Sequence, residues 1–225
     1  METMKESSMS IYVIGSHQKK FFSLDGIREK FYVDDKHDNP NIDAVNPYFC
    51  ELTGLYYMWR HCSDPVVGLE HYRRFLSVDG VTPINSEMIH NILKLPDVDV
   101  LCNVYNYKDR PALYAASEKL FWIHKFLCFC EVLHGDTIKP YTEFAAKYVS
   151  GHELIVGNIF ISRQDFFQEY CSFLFPTMIL FYKAELAITK DNASRIMGYI
   201  AEYLFGAYIR FHKKRIFRCK LVKLP

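Results

Sequence analysis

The sequence predicts a single α/β domain in which helices flank a mainly parallel central sheet. Short apolar runs alternate along the chain with longer segments of helical periodicity, an order typical of parallel strands joined by helices. Half of the 225 residues are apolar, including 18 phenylalanines and 16 tyrosines, so the chain can bury a large core. No repeat or composition shift divides the sequence, and we therefore predict one domain over residues 1–225.

The predicted strands are short runs rich in β-branched and aromatic residues, bounded by turn residues. They cover residues 11–14, 66–69, 97–104 and 154–162. The first strand ends at Gly15, and loops at this edge of α/β sheets commonly hold ligands. Ser16 and His17 are therefore candidates for contact with a nucleotide, with capping of the loop as the alternative.

The first predicted helix begins at Asn46-Pro47, because asparagine is a favoured N-cap and proline suits the first helical position. Its apolar residues recur with helical spacing as far as Trp59, which indicates one broad buried face. Three further helices are predicted over residues 117–133, 163–183 and 192–212, the second of them kinked or interrupted at Pro176.

Charge and cysteine content limit the possible partners and the compartment. The 27 basic and 26 acidic residues give a net charge of +1, which provides no overall attraction for nucleic acid. The seven cysteines form no repeating framework, as expected for a reducing compartment. The opening segment METMKESSMS has no hydrophobic signal core, so we expect a cytoplasmic protein.

The C-terminal tail, residues 210–225, carries seven basic residues and no acidic one. Apolar side chains alternate with these charges, a pattern that can lie on an anionic membrane surface. The tail therefore predicts peripheral contact with the inner face of the cell membrane. A solvated C-terminal strand or helix end is the alternative.

The strand at residues 66–69 runs into Glu70-His71-Tyr72-Arg73-Arg74, an unusual amount of charge for the end of a core strand. Arginine binds phosphate through paired hydrogen bonds, so a phosphate-rich ligand would explain the charge. Neighbouring side chains of an extended segment point to opposite faces, so Arg73 and Arg74 can share a ligand only if the chain bends between His71 and Arg74. The alternative is an ordinary ion pair with a surface carboxylate.

The run NPYFCELTGLYYMWRHCSDPVVGLEHYRRFL, residues 46–76, resembles the signature block of a bacterial family of unknown function found in capsule, exopolysaccharide and O-antigen gene clusters. Residues 157–161, 167–176 and 195–204 agree with later segments of that family in the same order. Its members are treated as glycosyltransferases. The resemblance implies a GT-A-like, Rossmann-like fold, a nucleotide-sugar donor with UDP as the expected nucleotide, and hexosyl transfer, of which galactofuranosyl transfer is one form. The implied acceptor is a glycan or lipid-linked saccharide in surface polysaccharide synthesis.

Glycosyl transfer needs a group that accepts the acceptor's proton and groups that stabilise the departing diphosphate. Glu202 and Glu51 are the candidates for the base, because each lies in a family-matching helix among apolar neighbours. A buried structural hydrogen bond or ion pair is the alternative for both. Arg195, Tyr199 and Glu202 have i, i+4, i+7 spacing and so line one helix face.

The other candidates are contacts to substrate and metal. Besides Arg73 and Arg74, the expected substrate-binding residues are Ser16, His17, His71, Asn158 and Arg195. For Asn158, which follows Gly157 within a strand, a bulge is the alternative. Asp97 and Asp99 lie on one face of an extended segment and offer a site for Mn²⁺ or Mg²⁺, with an ordinary turn after Pro96 as the alternative.

Two other functional classes stay open at this stage. A metal-dependent phosphohydrolase would use Asp97, Asp99 and His71. A non-catalytic module that binds glycan or protein would keep the fold without chemistry. Metal dependence and nucleotide-sugar binding separate these classes from a glycosyltransferase.

Overall fold

The computed structural model describes residues 8–21, 25–108, 119–186 and 194–224. The strands found there are β1 (Met9–Gly15), β2 (Arg28–Tyr32), β3 (Val66–His71), β4 (Arg74–Ser77), β5 (Val100–Asn106), β6 (Glu153–Arg163) and β7 (Ile216–Lys223). The α-helices are α1 (Asn46–Phe49), α2 (Leu52–His61), α3 (Ser86–Leu93), α4 (Leu120–His134), α5 (Lys139–Val149), α6 (Gln164–Phe181) and α7 (Ile196–Phe211).

All of these strands join one sheet, which is mixed rather than mainly parallel. The β1–β2, β1–β3 and β5–β7 pairs are parallel, whereas the β3–β4, β3–β6, β4–β7 and β5–β6 pairs are antiparallel. Strand β3 pairs first with β6 and then, at His71, with β4, so β3, β4, β7, β5 and β6 close into a ring of five. The predicted α/β class is right, and the mainly parallel sheet is wrong because β3 turns back into β4.

Within the basic tail, Ile216–Lys223 forms β7, which is one of the five strands of this ring. The alternative of a C-terminal strand therefore describes this part of the tail. Strand β7 lies between β4 and β5. Several of the tail's cations pair with carboxylates of the body: Arg210 and Arg218 with Glu153, Lys214 with Glu169, and Arg215 with Asp99. Much of the positive charge that the sequence collects at its end is therefore balanced inside the fold.

The helices also depart from the predicted boundaries. The helix predicted from Asn46 is two helices, because Cys50 has a left-handed φ of 51° that separates α1 from α2. The Asn46 side chain accepts a hydrogen bond from the Thr53 hydroxyl at 3.1 Å and caps no backbone amide. Helix α6 continues through Pro176, where the exposed position lets water solvate the carbonyl that lacks a helical partner. Predicted helical residues 117–118 and 192–193 lie outside the described residues.

A layer of buried rings fixes α7 against the sheet. Phe160 of β6 packs 4.7 Å from Phe205 of α7, and Tyr170 of α6 lies 5.0 Å from the same ring, as measured between ring centroids. All three side chains are fully buried. Such aromatic contacts bury large apolar areas in defined geometries, so they set the position and rotation of α7.

Glu70 is part of a buried ion pair and does not contribute to a ligand site. Its carboxylate accepts a hydrogen bond from Arg28 Nε at 2.6 Å and another from the Leu76 amide at 2.7 Å. Neither charged side chain is more than 2% exposed. The glutamate thus ties β2 to the start of β4, and it leaves the arginines that follow it for other roles.

Replacing Glu70 with alanine is expected to lower the free energy of unfolding by about 3–5 kcal/mol, because the Arg28 guanidinium would be left buried without its partner. Urea denaturation followed by circular dichroism measures the change. Asp25→Ala is the matched control, since Asp25 also bonds to Arg28 at 2.6 Å but has 46% of its side chain exposed. That variant is expected to lose less than about 1 kcal/mol. Equal losses for the two variants would contradict the assignment.

Candidate functional site

A cavity of about 670 Å³ opens where β1 and β3 end and where α1 and α7 begin. Its walls combine the loop after β1, the turn after β3, the α1–α2 junction and the first two turns of α7. The charged or ionisable side chains that line it are Lys19, Cys50, Glu51, His71, Tyr72, Arg73, Arg74, Arg195, Tyr199 and Glu202. Most of the residues predicted for the site therefore meet in one place.

The chain makes the bend that a shared role for the two arginines requires. His71 pairs with Arg74 across a two-residue turn formed by Tyr72 and Arg73. The turn is held from outside the hairpin, since the Tyr72 amide donates to Ile14 O at 2.9 Å and the Arg73 carbonyl accepts from the Leu224 amide at 3.2 Å. Both arginines consequently line the same cavity.

Neither arginine has a carboxylate partner within 4 Å among the residues that the structure describes. The Arg73 guanidinium lies 5.4 Å from the centroid of the Tyr72 ring. Arg74 Nε is buried and has no hydrogen-bond partner within the described part of the chain. The ion-pair alternative is thus not what the structure contains, and Arg74 has a buried donor still to be satisfied.

Asn158 holds the Glu51 side chain in position. The Asn158 amide donates to Glu51 Oε1 at 3.0 Å and to the Gly198 carbonyl at 3.1 Å. Asn158 is 1% exposed, and both it and Gly157 have positive φ, where the pairing of β6 with β5 shifts in register. The bulge alternative is therefore present, and Asn158 positions the glutamate rather than lining the cavity.

Gly198 allows α7 to approach this carboxylate closely. A Cβ atom at Gly198 would lie 3.4 Å from both carboxylate oxygens of Glu51. Glu202 follows one turn later on the same helix, so the two glutamates are neighbours. Two close carboxylates disfavour simultaneous ionisation.

Glu202 has the ionisation behaviour expected of a base that works near neutral pH. Burial, and then the negative charge of Glu51, raise its pKa to about 7. A backbone hydrogen bond from Gly157 and the charges of Lys119 and Arg74 oppose that rise. Among the carboxylates lining the cavity, Glu202 can therefore exchange a proton at physiological pH.

His71 carries no charge near neutral pH. Burial lowers its pKa, and the nearby cations Arg74 and Arg195 add to that effect while Glu51 opposes it. Its Nε2 atom is buried, and no described residue forms a hydrogen bond with it. His71 is therefore a neutral hydrogen-bonding group in the wall of the cavity.

Several predicted residues lie elsewhere. His17 is exposed, hydrogen-bonds to Asp35 at 2.8 Å and stacks on Tyr32 at 4.1 Å, so it organises the loop as the capping alternative proposed. Ser16 and Arg195, by contrast, line the cavity.

The predicted metal pair, Asp97 and Asp99, is also separate from the cavity. Asp99 bonds to Arg215 at 2.8 Å and Arg163 at 3.3 Å, and Asp97 is exposed. Val100 of β5 and Val67 of β3 both pair with Ser162 of β6, so they lie at the same level of the sheet. Asp99 precedes Val100 and His71 lies four residues after Val67, which separates the two side chains by roughly 15 Å along the strands. No cluster of three or more His, Cys, Asp or Glu suited to a metal exists in the described part of the chain. A phosphohydrolase site built from Asp97, Asp99 and His71 has no geometric support.

Three side chains at or near the cavity have no counterpart among the residues predicted from the sequence. Lys19, four residues beyond β1, and Cys50, whose thiol hydrogen-bonds to Arg195, both line the cavity. Lys119 precedes α4 and lies 3.3 Å from the centre of the Tyr199 ring. The position of Lys19 in the loop after a strand could have marked it as a ligand-binding candidate. Lys119 could not be recognised in this way, because its contact with Tyr199 joins residues that are far apart in sequence.

Fold and cavity together define a mixed α/β protein with a charged cleft at the ends of two parallel strands. The chain belongs to the family described as Domain of unknown function (DUF4422), whose model matches residues 2–214. A search of curated proteins finds no match.

A solved structure described as the apo form of the bifunctional glycosyltransferase WbbM has a similar fold, with a TM-score of 0.76 and 23% sequence identity. The similarity covers 96% of this chain and 45% of that one, so this chain spans less than half the length of WbbM. No helix in the described residues is long and apolar enough to cross a membrane.

Proposed function

We propose that this chain is a glycosyltransferase that moves a sugar from a nucleotide-diphosphate donor to a hydroxyl group of its acceptor. The observation that carries the proposal is the turn at Tyr72 and Arg73, which directs two arginines without carboxylate partners into the cavity that also holds Glu202. A fold similar to that of a protein described as a bifunctional glycosyltransferase supports the same class.

Each step of the transfer has a group in the cavity. Glu202 accepts the proton of the acceptor hydroxyl as its oxygen bonds to the anomeric carbon of the donor sugar. The bond from that carbon to the diphosphate breaks, and the diphosphate leaves with the electron pair. Arg73 and Arg74 hydrogen-bond to the phosphate oxygens on which the negative charge accumulates. Burial, and then the charge of Glu51, keep the pKa of Glu202 high enough for it to take the proton near pH 7.

The cationic side chains supply the positive charge for the leaving group. Lys19 lines the cavity beside Arg73 and Arg74. Asp97 and Asp99 lie outside it, and the described residues provide no three-ligand cluster to hold Mn²⁺ or Mg²⁺ there. We therefore assign stabilisation of the diphosphate to arginine and lysine.

The finer assignment names the substrates. We propose a UDP-hexose donor, with galactofuranose as one possible sugar, and a glycan or lipid-linked acceptor in surface polysaccharide synthesis. An anionic membrane surface remains a proposed partner of the basic tail, because a lipid-linked acceptor would be presented there.

A thermal-shift screen tests the proposed function. Wild-type protein is measured with UDP, GDP and their hexose conjugates, each with and without Mg²⁺ or Mn²⁺. A ligand present at 100 times its Kd stabilises the fold by about 2.7 kcal/mol, so a bound donor raises Tm by several degrees. Transfer of labelled sugar from the stabilising donor to a glycan acceptor completes the test. A protein that binds none of the panel would be a binding module without this chemistry.

A further inference from the structure

Two separate groups of cations surround Tyr72 and Tyr199, two tyrosines that line the cavity. In the first cation cluster, Lys19 Nζ and Arg73 Cζ lie 6.0 and 5.4 Å from the centroid of the Tyr72 ring. In the second cation cluster, Lys119 Nζ and Arg195 Cζ lie 3.3 and 5.6 Å from the centroid of the Tyr199 ring. The first belongs to the loops after β1 and β3, and the second to the starts of α4 and α7.

The four cations of these clusters have no carboxylate oxygen within 4 Å in residues 8–21, 25–108, 119–186 and 194–224. Several cations elsewhere in the fold do have carboxylate partners, among them Lys125 with Glu185 and Lys214 with Glu169, at 2.5 and 2.6 Å. Within the described residues, the cations of the two clusters form no such ion pair.

Folding does not account for the second cation cluster. Lys119 and Arg195 are the N-cap residues of α4 and α7. The N-terminus of a helix is the positive end of its dipole, so a cation is disfavoured there. Arg195 also has a left-handed φ of 66°, which is costly for any residue other than glycine. Residues whose local conformation lowers the stability of the fold are commonly found at ligand-binding sites.

The second cation cluster shares a helix with the proposed base. Tyr199 precedes Glu202 by three positions in α7, so the two side chains lie on one face of that helix. Burial and the charge of Glu51 raise the pKa of Glu202, and the charges of Lys119, in the second cluster, and Arg74, next to the first, oppose that rise. The proposed base therefore stands within electrostatic reach of both clusters. The donor diphosphate occupies the first cluster together with Arg74, so a hydroxyl at Glu202 would approach from the side of Lys119.

We propose that Lys119, Tyr199 and Arg195 form a second anion subsite, which binds a negatively charged group of the acceptor near its reacting hydroxyl. This inference rests on the proposed function, because it assumes that the first cluster holds the donor diphosphate. The chemistry required is an anionic oxygen group close to a sugar. A lipid-linked diphosphate and the carboxylate of an acidic sugar both provide it.

Calorimetry on the full chain tests the subsite without turnover. Inorganic pyrophosphate is titrated into protein saturated with UDP, and one further molecule is expected to bind. Lys119→Ala and Arg195→Ala should each weaken that binding by about tenfold or more, as expected for a charge-assisted hydrogen bond. Lys139→Ala, a lysine at the start of α5 outside the cavity, and Arg60→Ala, an exposed arginine of α2, are the controls and should leave it unchanged.

Two ligand pairs distinguish the sources of the charge. Citronellyl diphosphate is compared with citronellol, and a methyl glucuronide with the methyl glucoside, each added to the UDP complex. The anionic member of at least one pair should bind more tightly, and Lys119→Ala should remove that preference. Equal binding within both pairs would overturn the proposal, as would loss of UDP affinity in Lys119→Ala. If UDP itself does not bind but pyrophosphate binding still depends on Lys119, the proposed function fails and the anion site remains.

Discussion

Replacing Arg74 with alanine is expected to lower kcat/KM for the nucleotide sugar by about 100-fold or more. The variant loses a preorganised guanidinium that would hydrogen-bond to the negative charge developing on the diphosphate. The buried Nε of Arg74 has no hydrogen-bond partner among the described residues, so the diphosphate is the group proposed to satisfy it. Arg73→Ala should have a smaller effect, about tenfold, since Arg73 is exposed and water can replace part of its contact. Initial rates at varied donor concentration measure both losses.

Two further variants make the test specific. Arg74→Lys retains the charge but loses the planar fork, so it should restore only part of the activity. Arg60→Ala removes an arginine that stacks on Trp59 at 5.1 Å outside the cavity, and its activity should equal that of the wild type. Full activity in a folded Arg74→Ala protein would remove the arginine from the mechanism.

Replacing Glu202 with glutamine should lower kcat by about 1,000-fold while donor binding persists, because the variant loses its proton acceptor but keeps its cations. For the wild type, the base must be ionised, so kcat should fall as the pH drops below about 7 and level off above it. Glu51→Gln should shift this midpoint to lower pH, since the charge of Glu51 helps to raise the pKa of Glu202. A pH profile with the same midpoint in Glu51→Gln would show that the two carboxylates do not interact.

The raised pKa of Glu202 favours catalysis above pH 7 but should lower the stability of the fold there. The folded chain holds the Glu202 proton with a pKa of about 7, whereas the unfolded chain has the ordinary pKa of 4.5. The free energy of unfolding should therefore decline as the pH rises from 4.5 to about 7. Glu202→Gln cannot ionise and should therefore be more stable than the wild type at pH 8, by up to about 3 kcal/mol. Chemical denaturation at pH 4.5 and pH 8 measures the difference, and a variant less stable at pH 8 would contradict the buried position of the carboxylate.

The parts of the fold that could be predicted are those with uninterrupted local signals. The apolar runs of β1, β3 and β6 are long enough to mark strands, although each strand extends beyond its predicted bounds. Strand β7 is harder to recognise because its apolar residues alternate with basic ones, which read equally well as a surface patch. The break at Cys50 has no glycine or proline to announce its positive φ.

The site was predictable where charge interrupts an apolar pattern. Arg73 and Arg74 stand out at the end of a core strand, and the structure places both in the wall of the cavity. The ion pairs of Asp99 have no local signal, because its partners, Arg163 and Arg215, are far away in sequence. For the same reason the contact of Lys119 with Tyr199, 80 positions along the chain, has no local signature.

The position of β7 constrains the order in which the protein can become active. This strand comes late in the chain, yet it lies in the interior of the sheet order and pairs Lys223 with Arg74, and the amide of Leu224 bonds to Arg73. Contacts across so many residues form slowly, because a long loop must close before they contribute. The arginine turn can reach its final geometry only after residues 216–224 have been synthesised and have docked, so the newly made chain lacks the proposed leaving-group site until then.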